Sequence, residues 1–409
     1  MSTYAFLNIS AHGHINPTLP IVRELVGRGE KVTYLLPEEF RETVESVGAK
    51  FQAIPHLARL GKTEPGVTQA PNDEQLALIP FAMGYQARQV VPQLVEILKA
   101  MKADCLVYNT MNLWARLAGQ ILDVPVIGFR PFHAPRFHRS VVAPFATERL
   151  AQLAATADQE LDQLARSFRH PSETLQELVA KTEQLTLIFM PKEFQFEGDR
   201  FDDRFLFVGP SLIETPSERW PFETRATNKP LRIYVSLGTL RNNEPRFYRS
   251  CFAAFNRREW QVVMSVGDRI DVTSLVPFPN NFLVARSVRQ TALLPNVDVF
   301  VTHGGLNSTM ESFYFGVPLV VVPSIREQRL TARRVQELGL GIVLERETLT
   351  PGNLCDSVLT VAGDRELGRR VKVMQYLTRT AGGFRRATDA IQHYRIGFAQ
   401  PPRCVRPVT

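Results

Sequence analysis

Short apolar runs alternate with longer amphipathic stretches along most of the 409 residues. The apolar runs have the length of buried strands, and the stretches between them repeat apolar residues with the period of a helix. In the first half the predicted strands are Ala5–Ile9, Val32–Leu36, Cys105–Tyr108, Val124–Phe129, Leu185–Phe189 and Phe205–Val208. The pattern restarts in the second half with Leu231–Ser236, Gln261–Ser265, Phe282–Ala285, Val297–Val301, Leu319–Val322 and Gly341–Leu344. This alternation is typical of parallel α/β domains.

A polar stretch without any period separates the two halves. Residues Ile213–Lys229 contain Pro216 and Pro221 and are typical of a linker. We therefore predict a first domain over residues 1–213, a linker over residues 214–229 and a second domain over residues 230–383. Each domain is predicted to be a doubly wound, Rossmann-like sheet that binds ligands at the carboxyl ends of its strands.

The most informative segment runs from Thr302 to Gln328 and includes the end of a predicted strand. A glycine-containing turn leads from this strand into a helix that Asn307 or Ser308 can cap. Free backbone N–H groups and the positive end of the helix dipole make such a position an anion site. His303 and the Ser308 hydroxyl add donors for a phosphate, and Glu311 can accept hydrogen bonds from sugar hydroxyls. The segment predicts a nucleotide-sugar site.

The same segment reads H-x-G-x-N-S-x-x-E, then G-V-P, then E-Q. It resembles the donor-binding signature of inverting GT-B glycosyltransferases, which use nucleotide-activated sugars. From about Tyr4 to about Tyr394 the chain resembles the macrolide glycosyltransferase branch of that group. The resemblance implies a GT-B architecture, in which two Rossmann-like domains face each other across a cleft. The first domain would bind the acceptor and the second the nucleotide sugar, with a last helix over residues 384–396 packing back on the first domain.

The resemblance also implies which residues of the second domain contact the donor. The predicted contacts to the diphosphate are Ser236, Gly238, Thr239, His303, Gly305, Asn307 and Ser308. Those to the ribose are Gln290 and Glu311, and those to the transferred sugar are Glu327 and Gln328. An E-Q pair favours sugars rich in hydroxyl groups, such as glucose.

The chain departs from the family pattern where the nucleotide base would stack. Relatives commonly have W-x-P-Q, but residues 286–290 read R-S-V-R-Q, so that Ser287 replaces the aromatic residue. Val288 still offers backbone hydrogen bonds to a pyrimidine. Arg289 is expected either to stack on the base or pair with phosphate, or to be exposed to solvent. Uridine is favoured as the base, and thymidine is the alternative.

A candidate catalytic base lies near the N-terminus. Residues Ser10–Pro17 read S-A-H-G-H-I-N-P after a predicted strand, and His14 matches the family's catalytic histidine. Histidine suits this role because its usual pKa is near neutral. Where relatives have a carboxylate that hydrogen-bonds the histidine, this chain has Asn109, which is expected to orient the imidazole through its amide oxygen without bringing a charge. His12 is expected to have no chemical role.

Acceptor contacts are expected from two first-domain loops, residues 56–85 and 131–145. The candidate residues there are Phe81, Met83, Phe132 and Phe137, which would line an apolar pocket for a flat hydrophobic acceptor.

Composition excludes several other classes of protein. The net charge of +7 is spread along the chain, and no nucleic-acid recognition motif is present. Four widely spaced cysteines predict neither a disulfide framework nor a metal site and suit the cytoplasm. No apolar run reaches the length of a membrane span, and the N-terminus leads directly into a strand rather than a signal peptide. We therefore predict a cytoplasmic monomer or homodimer that needs no cofactor or metal beyond its nucleotide-sugar substrate.

These inferences lead to one functional prediction and two alternatives. The chain is predicted to be an inverting, metal-independent glycosyltransferase that moves a sugar from a donor such as UDP-glucose onto a small hydrophobic polyketide, macrolide or flavonoid. One alternative is a TDP-deoxysugar transferase of antibiotic biosynthesis. The other is a catalytically degenerate partner of an active glycosyltransferase, an interpretation that Asn109 and Ser287 favour.

Overall fold

The computed structural model describes residues 1–54, 72–134, 148–214, 216–222, 229–239 and 242–399. The chain divides into two compact units. The first unit comprises Met1–Ser211 and Gly382–Thr409, and the second comprises Leu212–Ala381. Each unit is built on its own parallel sheet, as the alternation of strands and helices in the sequence predicts.

The first unit contains a seven-stranded sheet in the order β3-β2-β1-β4-β5-β6-β7, in which every neighbouring pair is parallel. Its strands are β1 (Thr3–Leu7), β2 (Lys31–Leu36), β3 (Lys50–Ala53), β4 (Cys105–Asn109), β5 (Val126–Arg130), β6 (Thr186–Ile188) and β7 (Phe205–Phe207). Successive residues of β1 are buried on opposite faces of the sheet, with Phe6 in one core and Leu7 in the other. The sheet is therefore covered on both faces.

Helices cover this sheet on both sides. In chain order they are α1 (His12–Ile15), α2 (Leu19–Gly27), α3 (Arg41–Glu45), α4 (Asn72–Ala100), α5 (Leu113–Leu122), α6 (Glu148–Ser167) and α7 (Leu175–Ala180). Helix α2 packs on the core that contains Phe6, and α4 to α7 pack on the core that contains Leu7. Gly84 permits the close approach of α4 and α6, because a Cβ there would lie 2.8 Å from Ala157 Cβ.

The second unit contains a six-stranded parallel sheet in the order β10-β9-β8-β11-β12-β13. Its strands are β8 (Leu231–Ser236), β9 (Trp260–Ser265), β10 (Phe282–Ala285), β11 (Val299–Thr302), β12 (Leu319–Val321) and β13 (Gly341–Val343). Its helices are α8 (Pro245–Phe255), α9 (Gln290–Leu293), α10 (Leu306–Phe315), α11 (Arg326–Glu337), α12 (Pro351–Gly363) and α13 (Arg365–Thr380). The order reverses between β8 and β11, and the loops that follow these two strands carry most of the predicted diphosphate residues.

The final helix, α14 (Gly383–Ala399), belongs to the first unit although it follows the second in sequence. Ala387 and Ile391 are fully buried in the core beneath α2. Arg28, the C-cap residue of α2, donates to Asp389 Oδ1 at 2.6 Å. The first unit is thus completed by residues at the far end of the chain.

A cluster of charged residues is buried in the first unit. Arg116 Nε lies 2.7 Å from Glu183 Oε1, and the two side chains are 3% and 10% exposed. Tyr108 also donates its hydroxyl hydrogen to Glu183. Arg130 is buried nearby, and burial together with the charge of Arg116 lowers its pKa to about 10. Glu183 is therefore the counter-charge for two buried guanidinium groups.

The sequence pattern missed strand β3 and several helices. Strand β3 and helix α6 were not among the predicted elements, whereas the other strands agree within a few residues. The stretch predicted to be a linker packs on the second unit where it is described, since Trp220 is 5% exposed and donates to Gln261 Oε1 at 2.7 Å. Within the described ranges, no helix combines the length and apolar character needed to cross a membrane.

Candidate functional site

His14 lies on α1, the single helical turn that follows β1. Its ring is half-buried and lies 6.0 Å, between centroids, from the ring of Phe132. Burial lowers the pKa of the His14 imidazole to about 4 from its usual 6.5. The ring is therefore neutral near pH 7. His12, two residues earlier, is exposed and packs edge-on against Phe40.

Asn109 contacts His14, but through the opposite end of its amide from the one we predicted. Asn109 Nδ2 lies 2.8 Å from His14 Nδ1. The amide oxygen instead accepts a hydrogen bond from the backbone N–H of Met111 at 3.0 Å. The expectation that Asn109 orients the imidazole through its oxygen was wrong, because the chain turns directly after β4 and presents the Met111 N–H to that oxygen.

Asn8, which the sequence analysis did not single out, joins this site from the end of β1. Its Oδ1 accepts from Asn109 Nδ2 and from the Ile9 N–H, both at 2.9 Å. Its Nδ2 donates to the His14 carbonyl oxygen at 2.8 Å and to the Tyr34 hydroxyl at 2.9 Å. Asn8 and Asn109 are both fully buried. A signal was present in the sequence, because Asn8 is the one polar residue in the otherwise apolar run Ala5–Ile9.

The predicted acceptor residues are placed in different surroundings. Phe132 is half-buried beside His14. Phe81 is half-buried against the α4 core, and Met83 is fully buried within it. Phe137 lies outside the described residues. Of the three that the structure describes, Phe132 is the one with a ring contact to His14.

In the second unit, His303 follows β11 and its ring lies against two glycine backbones. A Cβ on Gly238 would lie 2.7 Å from His303 Cε1, and a Cβ on Gly305 would lie 2.4 Å from its Nε2. Gly238, with φ +76°, follows β8, the strand next to β11. Burial lowers the pKa of His303 to about 4, against a hydrogen bond with the Ser236 backbone that raises it. The ring is neutral near pH 7 and has little room to move.

Helix α10 begins two residues earlier than the capping prediction required. Its first residue is Leu306 and its N-cap is Gly305, with no side-chain cap. Asn307 and Ser308 therefore lie inside the first turn, where both are half-buried, and the prediction that either caps the helix was wrong. The first N–H groups of a helix have no carbonyl partner within the helix, and the anion site at this N-terminus stays a prediction.

The predicted ribose pair lies together on the second unit. Gln290 Nε2 donates to Glu311 Oε2 at 2.6 Å. Burial raises the pKa of the Glu311 carboxyl to about 7, against the opposing effect of the Gln290 hydrogen bond. Burial likewise raises the pKa of Glu327 to about 7. Two carboxyl groups near these loops thus ionise close to neutral pH.

The other residues predicted to bind the sugar donor lie in different surroundings. Gln328 is buried, and its Oε1 accepts from the N–H and the hydroxyl of Ser324, both at 2.9 Å, which leaves this oxygen engaged at the start of α11. Ser287 and Thr239 are exposed, whereas Val288 is half-buried. Arg289 is exposed, and its Nη1 lies 3.7 Å from Glu218 Oε1, as expected of the solvent-exposed alternative.

Arg346 is a further charged residue beside these loops that the sequence analysis missed. It follows β13, and its Nη1 donates to Glu244 Oε1, in the loop after β8, at 2.5 Å. The positive charge of Arg346 contributes to the lowered pKa of His303. Arg346 stands in the charged run E-R-E, which is typical of a solvated turn. The sequence therefore did not indicate that Arg346 belongs to this site. Within the described ranges, no group of three His, Cys, Asp or Glu side chains could hold a metal ion.

We expect Glu311→Gln to stabilise the second unit at pH 8 by roughly 1 to 3 kcal/mol and by less at pH 5. The carboxyl pKa is raised from 4.5 to about 7 in the folded chain. The folded state therefore loses stability as the pH rises from 4.5 through 7, because a buried carboxyl must then ionise. Thermal melting at both pH values measures this difference. Glu259→Gln, at an exposed position, is the control, and an equal shift of Glu311→Gln at pH 5 and pH 8 would contradict the prediction.

The chain is similar to known sugar transferases along nearly its whole length. Residues 253–376 match the family model of the erythromycin biosynthesis protein CIII-like C-terminal domain. The chain is 37% identical to the NDP-glycosyltransferase YjiC of Bacillus subtilis, over 97% of this chain and 98% of that protein. It is 32% identical to the demethyllactenocin mycarosyltransferase of Streptomyces fradiae, over 96% of this chain and 86% of that protein.

The fold leads to the same group of proteins. The structure of CalG4, the calicheamicin glycosyltransferase, superimposes with a TM-score of 0.85 at 29% identity and covers 98% of this chain and 100% of that one. The two parallel Rossmann-like sheets are those of the GT-B fold, as the sequence predicts. From its sequence and its fold alike, the chain belongs to the nucleotide-sugar-dependent glycosyltransferases, in the branch that contains the macrolide and antibiotic glycosyltransferases.

Proposed function

We propose that this glycosyltransferase moves glucose from UDP-glucose onto a small hydrophobic acceptor, with inversion at the anomeric carbon and without a metal ion. The observation that carries the proposal is the second unit's cluster of donors and carboxyls. His303 lies against Gly238 and Gly305 beside the N-terminus of α10, and Glu311 is paired with Gln290. This set supplies anion-binding N–H groups and acceptors for sugar hydroxyls within one sheet edge.

The donor diphosphate would be held by backbone groups and by the neutral imidazole of His303. The N-terminus of helix α10 is the positive end of its dipole and favours negative charge there. Glu311 and Gln290 would bind the ribose, and Glu327 the transferred sugar. Val288 is half-buried and Ser287 is exposed, so no aromatic side chain stacks on the nucleotide base at this position. The Val288 backbone would instead hydrogen-bond the edge of the base, which suits a pyrimidine such as uracil.

In the transfer step an acceptor oxygen forms a bond to the anomeric carbon from the face opposite the diphosphate. The bond from that carbon to the diphosphate oxygen breaks, and its electron pair leaves with UDP. An α-linked donor therefore gives a β-linked product. A neutral hydroxyl acceptor must also lose its proton, and His14 is the side chain of the first unit proposed to meet the acceptor.

Cys105, Cys251 and Cys355 are buried free thiols, which agrees with a cytoplasmic place for this reaction.

The test is product formation by mass spectrometry, with UDP-glucose and TDP-sugars as donors and a panel of phenols, flavonoids and macrolides as acceptors. We expect glucosides from UDP-glucose. His14→Ala is expected to lower kcat/KM roughly ten- to hundredfold for every acceptor used, because it removes the hydrogen-bonding group that contacts the nucleophile. His12→Ala, at the exposed neighbouring histidine, is the matched control and is expected to change little.

Two other outcomes would replace the proposal. Transfer from TDP-deoxysugars but not from UDP-glucose would assign the chain to antibiotic deoxysugar transfer. The structural support for this alternative is Gln328, whose side-chain oxygen already accepts from the N–H and the hydroxyl of Ser324 instead of being open to a sugar hydroxyl. Nucleotide binding without transfer from any donor, even in an Asn109→Asp variant, would indicate a non-catalytic partner protein.

A further inference from the structure

The side-chain amides of Asn8 and Asn109, both buried beside His14, can be oriented in only one way that satisfies their hydrogen bonds. Turning the Asn109 amide would bring its NH2 group against the Met111 N–H and its oxygen against Asn8 Oδ1. Turning the Asn8 amide would bring its NH2 group against the Ile9 N–H and its oxygen against the His14 carbonyl oxygen. Either change places donor against donor and acceptor against acceptor in a fully buried position. Two backbone N–H groups therefore fix both side chains.

This arrangement decides which ring nitrogen of His14 carries the proton. Asn109 Nδ2 is a donor, and it lies 2.8 Å from His14 Nδ1. Nδ1 must therefore accept, so the neutral imidazole carries its hydrogen on Nε2. A general base that used Nε2 would need the opposite tautomer, with a proton on Nδ1 facing the amide NH2 group. In serine proteases an amide in place of the aspartate imposes the same wrong tautomer, and turnover falls about 10⁴-fold.

We propose that Asn109, held by Asn8 and Met111, keeps His14 as an Nε2–H donor, and that the chain therefore glycosylates acidic phenols that ionise near neutral pH rather than aliphatic alcohols. The proposed class of acceptor rests on the proposed function, whereas the proposed tautomer of His14 does not depend on it. Phe132, 6.0 Å from the His14 ring, gives an aromatic acceptor a ring to pack against. Asn109 is a positioning residue in this scheme.

The transfer step then requires no base. The phenolate oxygen accepts a hydrogen bond from His14 Nε2–H and forms the bond to the anomeric carbon. The bond between that carbon and the diphosphate breaks, and its electron pair leaves with the nucleoside diphosphate. No proton changes place in this step. An aliphatic alcohol lacks this route, because its hydroxyl stays protonated near neutral pH and His14 Nε2 has no lone pair to receive the proton.

The first test is independent of activity. In full-length chain labelled with 15N-histidine, the ring nitrogen shifts of His14 report its tautomer, and the His14→Gln spectrum identifies its signals. We expect protonation on Nε2 at pH 7 in the unchanged chain and on Nδ1 in Asn109→Asp, whose carboxylate can only accept. Asn16→Asp adds a charge two residues from His14 at an exposed position and should leave the tautomer unchanged. A proton on Nδ1 in the unchanged chain would overturn the proposal.

The second test compares two acceptors of equal ring size, 4-nitrophenol and 4-nitrobenzyl alcohol, with the same donor. We expect the unchanged chain to use the alcohol at least a hundredfold more slowly, the approximate contribution of a general base. Asn109→Asp should narrow this gap roughly ten- to hundredfold, and Asn16→Asp should not. Equal use of both acceptors by the unchanged chain, or a gap that Asn109→Asp leaves intact, would refute the proposed acceptor class. Absence of product from both chains with every donor would refute the proposed function instead, while the tautomer is still decided by the spectra.

Discussion

Gly305→Ala is expected to lower kcat/KM at least a hundredfold and to weaken UDP binding. The new Cβ would lie 2.4 Å from His303 Nε2, so the imidazole must move. The ring also lies against the Gly238 backbone, and its displacement would break the hydrogen bond with the Ser236 backbone. A displacement of about 1 Å in a positioning group can cost about 10²-fold in rate. Steady-state kinetics with UDP-glucose and calorimetric titration with UDP measure the two effects.

The matched control is Gly352→Ala, in the first turn of α12. A Cβ there would meet only Thr350 Oγ1, at 3.8 Å, so no atom has to move. Both substitutions place a methyl group at a helix N-terminus of the same unit, and the melting temperature shows whether each variant is folded. The prediction fails if a folded Gly305→Ala chain keeps the kinetics and the UDP affinity of Gly352→Ala.

Glu183→Gln is expected to destabilise the first unit by about 3 to 5 kcal/mol, the usual effect of removing one partner of a buried ion pair. Glutamine has nearly the same shape but no charge, so Arg116 and Arg130 would remain buried without a counter-ion. Trp114 is the single tryptophan of the first unit. In a background with Trp220→Phe and Trp260→Phe, guanidinium titration followed by its fluorescence therefore reports the unfolding of this unit.

Glu173→Gln is the control for this charge removal. Glu173 accepts from Lys181 Nζ at 2.7 Å, and the two side chains are 24% and 44% exposed. Partly solvated pairs of this kind contribute about 1 kcal/mol or less. If Glu183→Gln were no more destabilising than Glu173→Gln, the buried cluster would not need its negative charge.

The local pattern of apolar and polar residues predicted most of the fold, because buried parallel strands are continuous apolar runs. Strand β3 was missed because K-F-Q-A contains one buried apolar residue, Phe51, and its pairing with β2 is set by the sheet rather than by its own sequence. Helix α6 is mostly polar, and its buried positions Ala157, Leu161 and Leu164 follow a helical period that a search for longer apolar stripes overlooks. Both elements depend on neighbours that are distant in sequence.

The site was predictable as a set of residue types but not as a hydrogen-bond network. The motif after β11 indicated His303 and Glu311, and the fold places His303 directly after β11 and Glu311 in the helix that follows. The orientation of the Asn109 amide, by contrast, depends on a backbone N–H two residues later and on Asn8, which lies 101 residues earlier. No spacing rule contains that information. The raised and lowered pKa values also arise from burial, which a sequence does not state residue by residue.

The position of α14 has a consequence for how the chain is made. Synthesis runs from the N-terminus, and N-terminal domains generally fold first. Here the core beneath α2 lacks Ala387 and Ile391 until these residues leave the ribosome, whereas the second unit ends at Ala381. The unit that starts first is therefore the one that is finished last, and the continuous second unit is able to complete its sheet while the first still waits for its final helix.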